Sequence, residues 1–101
     1  MIHPFIQTHL SEITNALRDN QVKKAYLFGS ACTENFTDKS DVDILISFQE
    51  NLDPITRGDL WWNVFFSLED ILQRPIDLLT ENSLENPYFK KELENTMQEI
   101  L

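Results

Sequence analysis

The chain has 101 residues, of which 42% are hydrophobic and 25% charged, a balance that excludes disorder and predicts a single globular domain over 1–101. Eight Lys plus Arg against 17 Asp plus Glu give a formal charge of −9, so direct binding to nucleic acid is not expected, although bound cations can invert the field of one acidic pocket. The single cysteine, Cys32, excludes an internal disulfide framework, and with neither an apolar run of about 18–20 residues nor a basic-then-apolar leader the reading is no membrane span, no secretory signal and a cytoplasmic location.

In chain order, residues 4–19 predict one helix, because Ile6, Leu10, Ile13 and Leu17 recur at helical spacing on one face. Residues 24–28 predict a short strand that stops at Gly29-Ser30. Residues 41–48 predict a second strand, with Val42, Ile44, Ile46 and Phe48 on one face and Asp41, Asp43, Leu45 and Ser47 on the other. A broad apolar stripe of Leu60, Trp61, Val64, Phe65, Leu68, Ile71 and Leu72 predicts a helix over 55–73. Pro75 ends it, and 75–79 predict a third strand. The polar tail from Glu81 predicts a short helix from Pro87 or Tyr88, with Leu93, Met97 and Ile100 or Leu101 as its apolar face. The fold class is therefore α/β: a small mixed sheet flanked by helices.

Connection lengths set the strand directions. Only residues 29–40 join the first two strands, which favours an antiparallel pair, since a parallel crossover usually needs about a dozen residues or more. The long helix between strands two and three suits a parallel, right-handed crossover. Gly29, Ser30, Asp41, Asp43 and Asp77 should then converge at one end of the sheet.

Each of these features alone is common. Asp-x-Asp is often a solvated strand start, and Gly-Ser is often a turn. Converging, they describe a site. Asp41 and Asp43, two apart on a strand, leave the same face, and two close carboxylates repel unless a cation lies between them. Mg²⁺ takes hard oxygen ligands of this kind together with substrate phosphates. Asp77 can add a third ligand or accept a proton from an attacking hydroxyl. Three carboxylates holding two ions fit in-line phosphoryl or nucleotidyl displacement. Gly29 allows close approach of a ligand, and the N–H groups after it and the Ser30 hydroxyl can donate to phosphate oxygens. A helix beginning within 31–36 would add a favourable dipole.

Leu27-Phe28-Gly29-Ser30, ten further residues and then Asp41-Val42-Asp43 resemble the Gly-Ser-x10-Asp-x-Asp signature of the DNA polymerase β-like nucleotidyltransferase superfamily. Ile76-Asp77-Leu78-Leu79 resembles its third-carboxylate strand. Asn86-Pro87-Tyr88-Phe89-Lys90 is similar to the ending of the minimal nucleotidyltransferase branch, whose members often serve as antitoxins. The resemblance implies that Gly29 and Ser30 hold a nucleoside triphosphate and that Asp41, Asp43 and Asp77 are the catalytic residues and bind Mg²⁺. It also implies ATP as substrate, a HEPN-domain ribonuclease toxin as partner, and transfer of AMP to a tyrosine of that toxin. The alternatives are a subunit that adenylylates a small molecule such as an aminoglycoside, and an antitoxin that acts only by occupying its toxin. In one respect the chain departs from the pattern: many relatives carry arginine after Gly-Ser, whereas within 31–40 only Lys39 is basic, beside Glu34 and Asp38.

Other residues carry blander readings. His3 and His9, six apart, miss the spacing that would pair them on a helix. Cys32 is read as a small packing residue, and Lys39 as a phosphate contact or an ion-pair partner. Trp61 and Phe65 fit the buried stripe of the 55–73 helix. Trp62 and Phe66 fall outside it and predict an aromatic surface for a homo- or hetero-oligomer.

Overall fold

A computed structural model describes residues 1–81 and 85–101, with all their side chains except those of Phe89 and Glu92. Residues 82–84, part of the polar stretch read after the third strand, lie outside the described residues.

The predicted 4–19 helix is two helices, α1 (Pro4–Thr8) and α2 (Leu10–Asp19), joined at His9. The break has a tertiary cause. The His3 amide donates to the Ala31 carbonyl at 2.8 Å, and the Phe5 ring lies against Phe36 and His9, so α1 is drawn toward the turn after the first strand. Meanwhile Ile13 and Leu17 seat α2 in the core. The apolar spacing is satisfied by both pieces, so it does not reveal the joint.

Strands β1 (Val22–Phe28) and β2 (Val42–Phe48) pair antiparallel, and β2 pairs parallel with β3 (Ile76–Thr80) across helix α3 (Pro54–Leu72). Both directions follow from the connection lengths. Helix α3 starts cleanly because Pro54 occupies its first turn and Asp53 caps it, with Asp53 Oδ1 accepting from the Thr56 amide at 2.9 Å. It ends at Gln73 in the left-handed conformation, ahead of Pro75.

The tail departs from expectation. Helix α4 (Pro87–Thr96) ends earlier, and Gln98–Glu99 form a two-residue strand, β4, antiparallel to β1. Ile100 continues it, its amide donating to the Ala25 carbonyl at 2.9 Å. Met97 is exposed, and Ile100 and Leu101 pack against the main core instead of forming a helix face with Leu93. The sheet order is β3-β2-β1-β4.

Both faces of the sheet are covered. Val42, Ile44, Ile46 and Phe48 meet α2 and α3 in the main core. On the opposite face Phe28 and Leu45 pack with Leu93 of α4, with Tyr26 and Leu79 alongside. The row Asp43, Leu45 and Ser47 is thus an inner row at Leu45 and opens toward Asp43, because α4 covers only its middle.

Candidate functional site

The end of β1 and the beginnings of β2 and β3 lie side by side. Phe28 is the register partner of Asp43, and Asp43 is the register partner of Asp77. In-register residues on parallel strands project from the same face, so Asp43 and Asp77 are neighbours on the α4 face. Asp43 is half-buried and Asp77 exposed. Asp41 lies one residue before β2 and is exposed. Of the predicted set, the fold brings Gly29, Asp43 and Asp77 into one row and places Asp41 at its rim.

Gly29 turns the chain there. Its φ of +70° lies in the left-handed region, and a Cβ at this position would run into Asp43 Oδ2. The bare Cα is what allows the turn and the carboxylate to share the space. Gly29–Cys32 form a single 3₁₀ turn. No helix begins within 31–36, so a helix dipole does not contribute there. Thr33 closes the turn: its amide and its hydroxyl both donate to the Ser30 carbonyl, at 3.0 and 2.9 Å, its own backbone is extended, and a further turn follows at 34–35.

Two residues in this region were not singled out by the sequence reading. The Gly29 amide donates to Thr96 Oγ1, at the end of α4, at 3.2 Å. Arg74 Nη1 donates to the carbonyls of Thr37 and Ser40, at 2.9 and 3.4 Å, beside Asp41. An arginine abutting Pro75 at a strand entrance was the available signal for the second; nothing local marks Thr96. Lys39 forms no ion pair among the described residues. Cys32 is buried, and burial pushes its thiol pKa up, which suits a packing residue and opposes a nucleophile.

Among the described residues no three carboxylate, imidazole or thiolate groups close a metal cage by themselves. The donor set nevertheless fits a hard divalent cation. Mg²⁺ is usually held through one or two carboxylates with substrate phosphates completing its shell. Asp43 and Asp77 in register supply two such carboxylates, and the bare Cα of Gly29 leaves room for the Asp43 carboxylate beside the turn.

Comparison with known proteins gives a family profile described as "Polymerase beta, Nucleotidyltransferase" that matches residues 11–101. Two Methanocaldococcus jannaschii chains named as protein adenylyltransferases are 38% and 35% identical, each aligned over 87% of this chain and 94% of its own length. A chain of a toxin–antitoxin crystal structure with AMP-PNP is 26% identical at a TM-score of 0.68, covering 91% of this chain and 72% of that one. A chain from the complex of tri-AMPylated Shewanella oneidensis HEPN toxin with MNT antitoxin shares the fold at a TM-score of 0.62 and 24% identity, covering 94% and 71%.

Proposed function

The chain belongs to the polymerase β nucleotidyltransferase family and is a nucleotidyltransferase, and on that premise we propose that it transfers AMP from ATP to a tyrosine hydroxyl of a HEPN-domain toxin, as an antitoxin. The observation that carries this reading is the register of Asp43 with Asp77 beside Gly29, with Asp41 at the rim. The name of its relatives, protein adenylyltransferases, supports the transferred group, and the complex of a tri-AMPylated HEPN toxin with MNT antitoxin, one chain of which shares this fold, supports a protein acceptor of the HEPN class.

In this reading Asp41, Asp43 and Asp77 hold Mg²⁺, and Gly29 and Ser30 hold the triphosphate. Bound Mg²⁺ would supply positive charge to the phosphates and acidify the acceptor hydroxyl. Asp77, the exposed carboxylate of the pair, accepts the hydroxyl proton. The acceptor oxygen bonds to the α-phosphorus, the bond from that phosphorus to the bridging oxygen breaks, and pyrophosphate leaves with the electron pair. The Gly29 turn and the β2 entrance keep the two ends of the reaction in line.

The test is incubation with α-labelled ATP, Mg²⁺ and a candidate HEPN-domain toxin. Label should appear on that protein, and Asp41→Asn or Asp77→Asn should reduce the rate by about 100-fold or more. A second reading is favoured by the scarcity of basic side chains within 31–40: neutralisation by occupation alone. Neutralisation that survives both substitutions with no label transferred would establish that reading instead, and label on an aminoglycoside without a protein acceptor would establish a small-molecule substrate.

A further inference from the structure

We infer that Arg74 is a positioning residue that locks the entrance of β2 onto the entrance of β3, so that Asp41 and Asp43 are set relative to Asp77; this rests on the site proposed above. Arg74 lies three residues before Asp77. Its Nη1 reaches the Thr37 and Ser40 carbonyls at 2.9 and 3.4 Å. Its guanidinium carbon is 4.3 Å from the centroid of the Phe5 ring and 4.6 Å from that of Phe36. Nε is buried and has no hydrogen-bond partner among the described residues, so the group is held through Nη1 and by its place over the two rings.

The Thr37–Ser40 segment is a turn closed by its own bonds. The Ser40 amide donates to the Thr37 carbonyl at 3.0 Å, and the Thr37 amide donates to Ser40 Oγ at 2.9 Å. Those bonds shape the turn but do not tie it to the sheet. Two hydrogen-bonded links among the described residues do: Arg74, and the Val42 amide, which donates to the Pro75 carbonyl at 3.1 Å. Asp41 lies between the two attachment points. The guanidinium lies over the Phe5 ring of α1 and the Phe36 ring of the 33–41 segment, so the arginine joins three parts of the chain at the rim of the carboxylate row. Both carbonyl bonds come from Nη1 alone, so a lysine ammonium that reaches them can supply the charge and the bonds, but it lacks the flat guanidinium that lies over the two rings.

The experiment compares wild type, Arg74→Met and Arg74→Lys by amide hydrogen exchange across 37–43, by Mg²⁺ titration calorimetry with a nonhydrolysable ATP analogue, and by AMP transfer, with melting temperature recorded for each. The expected result is faster exchange of the Val42 amide, weaker Mg²⁺ binding and transfer reduced by about 100-fold in Arg74→Met, with Arg74→Lys between Arg74→Met and wild type in all three. Unchanged Val42 protection and Mg²⁺ affinity in a folded variant would overturn the inference. So would a loss of rate that follows the melting temperature alone. If Arg74→Met does not fold, Arg74→Lys decides, and wild-type behaviour in it counts against the assignment. If the wild type itself transfers no AMP, the proposed function fails, while exchange and Mg²⁺ binding still decide the role of Arg74.

Discussion

Gly29 carries two demands at once. A left-handed φ costs an L-residue roughly 1–2 kcal/mol, and any side chain there competes with the Asp43 carboxylate for the same space. Gly29→Ala should therefore lower the unfolding free energy by at least about 1–2 kcal/mol and eliminate binding of the ATP analogue in calorimetry. A variant that binds normally would show that the turn does not border the nucleotide. Cys32 sets a pH dependence. Burial raises its thiol pKa above that of the unfolded chain, so the buried neutral thiol contributes fully below the ordinary thiol range, and that contribution is lost as pH rises through the raised folded value. Thermal melts between about pH 7 and pH 10 should show a steeper alkaline decline in wild type than in Cys32→Ala. Equal slopes would mean that the thiol titrates as it does in the unfolded chain. Arg74 shows what a sequence pattern omits at this scale. Its partners are backbone carbonyls 34 and 37 positions away, and carbonyls leave no compositional trace.

Helix α3 shows how far periodicity reads and where it stops. Val64, Leu68 and Leu72 are buried as the stripe predicts. Two residues separate Trp62 from Val64 and Phe66 from Leu68, a rotation of about 200°, so both rings face away from the core. They are 53% and 59% exposed, with centroids 5.6 Å apart and Ile55 exposed on the same side. Asp59 and Asp70 border this stripe, and residues 58–72 contain no Lys or Arg. A second copy would oppose acid to acid, so the surface favours a different chain with an apolar centre and a basic rim, and under the proposed function the toxin is the partner to test for it. Trp62→Ala with Phe66→Ala should weaken toxin binding by about 30-fold or more and leave nucleotide affinity unchanged. Undiminished binding in the double variant would assign the stripe to another contact. Element boundaries within about one or two residues were legible for both long strands and for α3, because each has a sharp stop: Gly29, Asp53-Pro54 and Pro75. The joint at His9 and strand β4 were not. Gln98–Glu99 have no strand-forming side chains of their own; they pair because Tyr26 and Leu27 offer an unoccupied edge.

For the molecule as a whole, strand direction was the decisive legible property. Loop length alone made β1–β2 antiparallel and β2–β3 parallel, and those two choices gather Gly29, Asp43 and Asp77 at one end. The rest was hidden because it depends on what closes over that end. Leu45 shares its strand face with Asp41, Asp43 and Ser47, yet it is buried against Leu93 of α4. The family profile over 11–101 agrees with how widely the determinants of this arrangement are spread along the chain.

An amide has one hydrogen to give. The hydrogen on Gly29 is already given to the Thr96 hydroxyl, at the far end of a helix whose outer side, Tyr88 included, lies open. In the site proposed above, a phosphate oxygen that took the same hydrogen would compete with the helix terminus for one donor. Contact made on α4 would then bear on that competition, and a bound triphosphate would be felt in turn on the outside of the protein.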